Sequence, residues 1–172
     1  GLRTQENEVE DAVSAAASVL THLAGEGLPF RLLETGSGGA DTGFGSDEGS
    51  YWEAMRVLAT ARADGVRHLG ETVLRERGGL GEGVGLVWRT RDEELPNCVR
   101  KLRQLGLSVI VVALATHTYR TPHVPGDAAR DREAEFQRSV GKLEAAGAAV
   151  RIVSHPAGMA GLSGARGVEA VR

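Results

Sequence analysis

Apolar residues follow one order along much of the chain: a helical pattern, then glycine, then a short apolar segment. Apolar side chains at helical spacing occur in residues 7–25, 99–105 and 136–146, and the short apolar segments that follow are residues 29–34, 107–115 and 148–153. A further apolar segment, residues 83–89, precedes the middle helical pattern. Segments of this length and β-branched content are typical of strands, so the pattern predicts helices that alternate with strands.

The segment at residues 107–115 is apolar almost without interruption, which is typical of a parallel strand covered on both faces. Strands that alternate with helices form right-handed crossovers in an open α/β sheet. We therefore predict an α/β fold of three layers with a mostly parallel, Rossmann-like sheet. Because such domains usually begin with a strand and this chain begins with a helical pattern, we also expect the first strand to lie upstream of Gly1.

Local signals predict where further helices begin. Asn7 and Ser50 each precede a glutamate by three residues, which matches the capping box at the start of a helix. The helix after Ser50 would place Trp52 among its core-facing side chains. A weaker helical pattern covers residues 65–77.

Two polar segments are predicted as loops. Residues 35–49 consist largely of glycine, serine and aspartate, and residues 116–130 are also polar; the first should be a mobile surface loop. Both segments, together with residues 90–94, follow predicted strands, and ligands of open α/β sheets bind at the carboxyl ends of strands. The glycine-rich segment has no lysine and does not pass directly into a helix, so we do not expect it to bind phosphate.

Composition limits the classes of protein. The 172 residues include 20 Lys and Arg against 23 Asp and Glu, a formal net charge of −3, so the chain lacks the basic field of a nucleic-acid-binding domain. Its one cysteine, Cys98, excludes a disulfide within the chain and is expected to be a half-buried helix residue rather than a nucleophile. No apolar run approaches the length of a membrane span.

Few residues suggest chemistry. Asp92 follows a predicted strand, where an acidic residue could contribute to a metal site. The simpler interpretation is that the next helix is capped, either by Thr90 with Glu93 or by Asp92. His117, Tyr119 and His123 form the densest titratable cluster, although solvated loop side chains are the simpler interpretation of this spacing. We predict no catalytic constellation and no bound cofactor.

Residues 8–18, EVEDAVSAAAS, resemble the helix after the first strand in the bacterial domain-of-unknown-function family 58. There a similar stretch leads into a strand like residues 27–33, GLPFRLL, and the later order of strand, Leu/Arg-rich helix and strand is similar over about residues 6–162. The resemblance implies a von Willebrand factor type A-like domain, with no membrane contact of its own, on the cytoplasmic side of a membrane-anchored parent protein. It also implies a protein partner, either a MoxR-type AAA+ ATPase or a transglutaminase-like membrane protein.

Type A domains bind partners through a metal site, and the resemblance implies where its ligands would lie. The first element of that site, Asp-x-Ser-x-Ser, would be upstream of Gly1. Thr42 and Asp92 are the weak candidates that remain for the other metal ligands. With two or fewer ligands, we do not expect this chain to hold Mg²⁺.

The leading hypothesis is a non-enzymatic protein-interaction domain. Residues 1–162 would form a single α/β domain of a longer protein, with residues 163–172 as a frayed tail. A first alternative is metal-dependent ligand binding in the intact protein. A second is a hydrolase or nucleotide enzyme that uses the loop of His117 and His123.

Overall fold

The computed structural model describes residues 2–36, 39–62, 64, 68–76, 79–88, 92–119 and 126–154. Within these ranges the chain forms five α-helices and three strands. They are α1 (Leu2–Gly25), α2 (Glu48–Thr60), α3 (Leu69–Arg75), β1 (Gly83–Trp88), α4 (Leu95–Gln104), β2 (Ser108–Leu114), α5 (Gly126–Ala145) and β3 (Ala149–Val153), with a 3₁₀ turn, Thr116–Tyr119, between β2 and α5.

The three strands form a parallel sheet, as the alternation of helices and strands predicts. β2 lies in the centre, paired with β1 on one side and with β3 on the other. Gly83 lies opposite Ser108, and Ile110 lies opposite Ala149. The α/β class and the open parallel sheet are thus confirmed for the described strands.

The main core lies between one face of the sheet and the helices α3, α4 and α5. Its largest fully buried side chains are aliphatic, as the low aromatic content requires: Leu95, Val99, Leu102, Val111 and Leu143. A smaller cluster on the opposite face joins Ala15 of α1 to the sheet residues Val112, Leu114 and Val153. A third cluster lies between α1, α2 and the segment that contains Phe30.

The strand predicted at residues 29–34 is wrong. Phe30 and Leu33 instead form isolated antiparallel bridges with Gly45 and Asp41. The Phe30 side chain is buried against α1 and α2 and is not part of the sheet. The glycine-rich segment, predicted to be a free surface loop, therefore folds back and pairs with the apolar segment before it.

Both predicted helix starts are also wrong. α1 begins at Leu2, so Asn7 lies inside the helix. α2 begins at Glu48, because the Asp47 side chain accepts the backbone N–H of Ser50 at 2.7 Å. Asp47 is thus the N-cap, and Ser50 lies in the first turn.

The inward side of α2 also differs from the prediction. Ala54 and Leu58 are buried, whereas the Trp52 side chain is 54% exposed. The side of α2 that packs on α1 consists of Tyr51, Ala54, Met55 and Leu58, and Trp52 lies outside this stripe.

Two other boundaries differ from the sequence pattern, and one predicted segment is not described. The weak helix predicted at residues 65–77 is the shorter α3, and residues 65–67 and 77 lie outside the described residues. The predicted loop at residues 116–130 contains the 3₁₀ turn and the first turn of α5. The predicted tail, residues 163–172, lies outside the described residues.

Candidate functional site

Asp92 lies between the first turns of two helices. Its carboxylate is buried, with 9% of the residue exposed, and accepts the backbone N–H of Gly70 in α3 and that of Glu94 at the start of α4, each at 3.1 Å. The positive ends of both helix dipoles favour a negative charge at this position. The N-cap of α4 is Glu94, which has no side-chain capping bond, so the predicted role of Asp92 as the cap of that helix is wrong. Its carboxylate instead binds the N–H of the N-cap residue and an N–H in the first turn of α3. Thr90 lies outside the described residues.

Thr42 belongs to the segment that folds back beside residues 30–34. Its hydroxyl accepts the N–H of Leu32 at 3.0 Å and donates to the carbonyl of Gly43 at 3.1 Å. Thr42 and Asp92 thus form their hydrogen bonds with different segments of the chain. Among the described residues, no three His, Cys, Asp or Glu side chains are grouped so that they could hold a metal ion.

An ion-pair network fixes the same segment. Arg31 donates two hydrogen bonds to Asp41, at 2.8 and 2.6 Å, and one at 3.1 Å to Glu76, the residue after α3. The hydrogen bond from Arg31 lowers the pKa of the Asp41 carboxyl to about 2. A shallow cleft of about 130 Å³ lies beside this network and is lined partly by Glu34 and Arg75.

The titratable residues of the 3₁₀ turn contact two different helices. The Nε2 atom of His117 forms an ion pair with Glu133 of α5. The Tyr119 hydroxyl donates a hydrogen bond to Asp11 of α1, and burial, followed by this hydrogen bond, raises the pKa of the phenol. His123 lies outside the described residues, so the predicted cluster is seen only in part.

Trp88, the last residue of β1, lies near His117 at the carboxyl end of the sheet. Its ring stacks with that of Phe136 in α5, with ring centres 6.1 Å apart, and His117 contacts the same phenyl ring at 5.3 Å. The indole N–H is buried, and no described residue accepts a hydrogen bond from it. Cys98 is fully buried, and burial raises the pKa of its thiol to about 11, which keeps it protonated and unreactive at neutral pH.

The described helices cover one face of the sheet over only half its length. Near the carboxyl ends of the strands, Ala15 of α1 packs on Val112 and Leu114. The later half of α1 packs against α2 instead. Toward the amino ends, the same face exposes Ile110, at 47%, so the prediction that β2 is covered on both faces is correct only for its carboxyl half.

We call this uncovered surface the open face and define it by four exposed residues: Gly85 of β1, Ile110 of β2, and Ala149 and Arg151 of β3. They point to the same side because the parallel register places Ile110 beside both Gly85 and Ala149 and side chains alternate along a strand. Its centre is therefore a β-branched aliphatic side chain in the middle strand of a parallel sheet.

The helix α1 borders the open face. Val19 follows Ala15 by one helical turn, so it lies on the same side of α1, and it is 41% exposed. At the other border, the Arg151 guanidinium donates to the carbonyl of Val150 at 3.3 Å. Among the described residues, no carboxylate forms an ion pair with Arg151.

The apolar pattern of residues 107–115 did not reveal the open face, because Ile110 has the same hydrophobic neighbours in sequence as the buried residues of that strand. Arg151 was the available signal. A charged residue inside the short strand AVRIV indicates that one side of this strand meets water.

Comparison of the chain with protein-family models, with curated proteins and with solved structures finds no match. None of the described helices combines the length and the apolar character that crossing a bilayer requires.

Proposed function

We propose that this chain is a non-enzymatic protein-interaction domain and that its partner covers the open face. The main observation behind this proposal is that Ile110, in the central strand of the sheet, is exposed. Parallel sheets are normally covered by helices on both faces, and each Å² of apolar surface removed from water stabilises a complex by about 25 cal/mol before the costs of association. A partner that covers the central strand therefore gains hydrophobic stabilisation that the isolated chain lacks.

The resemblance to the domain-of-unknown-function family 58 indicates which partner to test first. We propose a MoxR-type AAA+ ATPase, with a transglutaminase-like membrane protein as the next choice. The parent protein would be membrane-anchored, of von Willebrand factor type A-like fold in this region, and the interaction would take place on the cytoplasmic side.

The test is a titration of the immobilised chain with a purified MoxR-type ATPase from the same genome. We expect saturable binding that the substitution Ile110→Glu weakens, because a carboxylate would then be buried in the interface. Leu105→Glu is the matched control, since Leu105 is also exposed, at 60%, but lies at the end of α4 and outside the open face. Equal loss of binding in both variants, or no binding by the unsubstituted chain, would contradict the proposal.

A further inference from the structure

We infer that the open face binds a single amphipathic helix of the partner, with small apolar residues along one side and an acidic side chain that pairs with Arg151. This inference rests on the proposed function and names the element that the partner contributes. Three features each restrict that element: the exposed Ile110, the small residues around it, and the charge of Arg151, which forms no ion pair with any described residue.

The size of the residues in the open face favours a helix that approaches closely. Gly85 has no atom within 4 Å of the position that a Cβ would occupy, and Ala149 presents only a methyl group. Between them stands Ile110, whose side chain would pack against the approaching element. A strand would add to the edge of a sheet through its backbone groups, whereas this surface consists of the face of the sheet.

The covered half of the same face shows how such a helix packs. There α1 places Ala12 and Ala15 on the strands, so small side chains on a helix already fit this sheet. Val19 lies one turn further along that side of α1 and is 41% exposed. A second helix beside α1 would cover Val19 and Ile110 together.

Arg151 determines the charge of the incoming helix. Its guanidinium is exposed at the border of the open face, and its described hydrogen bond goes to a backbone carbonyl of its own strand. A guanidinium binds a carboxylate through two parallel hydrogen bonds, which fixes orientation as well as charge. The helix therefore carries Asp or Glu at the edge of its apolar side.

The test uses two stapled helical peptides as probes, because they do not depend on the identity of the partner. Both copy residues 9–22 of α1, whose alanines already pack on this sheet, and they differ only in a Glu or a Lys at the edge of the apolar side. Fluorescence anisotropy should show the Glu peptide binding about tenfold more tightly than the Lys peptide. With Arg151→Glu the preference should reverse.

Two variants locate the binding site. Ile110→Glu should abolish binding of both peptides, and the milder Ile110→Thr should weaken it while keeping a β-branched residue in the strand. Arg138→Glu, on the exposed side of α5, is the control for charge reversal and should leave the peptide preference unchanged.

The outcomes separate this inference from the proposed function. If the ATPase binds but neither peptide does, or if Arg151→Glu leaves the peptide preference as it was, the helix inference is wrong and the interaction domain stands. If the peptides bind as expected and no ATPase does, the proposed partner is wrong and the helix-binding surface stands. If the unsubstituted chain dimerises and Ile110→Glu does not, a second copy of the chain covers the open face, and the inference is wrong.

Discussion

Asp92 shows how a single side chain can look like a metal ligand in sequence and form a structural contact in the fold. It lies four residues after β1, where acidic residues of α/β proteins often bind ligands. In the structure, backbone N–H groups at the starts of two helices take up both carboxylate oxygens. The carboxylate thereby holds α3 and α4 together at their first turns.

We predict that Asp92→Ala lowers the free energy of unfolding by about 2–4 kcal/mol, because it leaves the N–H groups of Gly70 and Glu94 without their acceptor. Urea titration would measure the change. The neighbouring substitution Glu94→Ala is the control, since that exposed side chain accepts only a long hydrogen bond, 3.4 Å, from Asn97. A similar loss in both variants would show that the two contacts of Asp92 have no special role.

The ion pair between Arg31 and Asp41 makes stability depend on acid pH. The pKa of Asp41 falls from 3.8 to about 2 on folding, so the contribution of the pair is present above about pH 4 and is lost as the pH falls toward 2. The Asp41 side chain is 43% exposed, and solvent screening limits the effect to about 1 kcal/mol.

We therefore expect the free energy of unfolding to fall by about 1 kcal/mol more in the unsubstituted chain than in Asp41→Asn between about pH 4 and 2. Urea titrations at stepped pH would measure the difference. High salt should reduce the difference. Identical pH profiles for the two proteins would contradict this assignment.

At the scale of elements, three helices end in the same way. After α1, α4 and α5, a glycine adopts a positive φ, +65° at Gly27, +84° at Gly106 and +100° at Gly147. In each case the next residue donates a backbone hydrogen bond back across the last turn, as Ala148 does to Leu143 at 3.1 Å, the pattern of a Schellman motif. These glycines are therefore required by the backbone conformation.

Two glycines of the same region should respond in opposite directions to alanine. Gly147→Ala should destabilise the protein by about 1 kcal/mol or more, because the left-handed conformation disfavours a Cβ and that Cβ would lie 3.1 Å from the Arg103 side chain. Gly141→Ala, inside α5 with open space around it, should stabilise by about 0.5–1 kcal/mol. Thermal melting would measure the change in Tm for each variant, and Tm shifts of the same sign would contradict the prediction.

The same element pattern explains which parts of the fold could be predicted. Helix, glycine and strand follow in order around Gly106 and Gly147, and both predicted strands are found in the sheet. Around Gly27 the local pattern is equivalent, yet the segment that follows pairs with residues 41–45. Tertiary contacts determine the structure of this segment, because the Phe30 side chain is buried between α1 and α2. Such contacts cannot be predicted from the local sequence pattern.

The residues of the open face were missed for a related reason. Burial of Ile110 depends on which helix lies above it, and the length and direction of α1 relative to the strands cannot be read from periodicity. The hydrogen bonds of Asp92 could be predicted only in part. Its position shortly before a helix indicates a bond to a nearby backbone N–H, whereas its bond to Gly70 joins segments 22 residues apart.

At the scale of the whole molecule, α1 and α2 form a unit with its own core around Leu20 and Phe30. This unit meets the sheet through the small cluster at Ala15 and through the hydrogen bond from Tyr119 to Asp11. Among the described residues, the apolar cluster that joins this unit to the sheet is smaller than the core on the other face of the sheet, and Arg31 adds an ion pair from the adjoining segment to Glu76. The α1–α2 unit should therefore open more readily than the sheet and the helices packed on its other face.

Tyr119→Phe tests this division, because it removes the hydroxyl that links the 3₁₀ turn to α1. We predict that native-state hydrogen exchange will show the opening free energy of α1 and α2 amides falling together by about 1–2 kcal/mol, with the strands unchanged. Tyr51→Phe is the matched control: its hydroxyl bonds Thr21 at 3.1 Å within the α1–α2 unit, so the docking of that unit on the sheet should not change. Equal loss of protection in α1, α2 and the strands after Tyr119→Phe would mean that the chain opens as one cooperative unit.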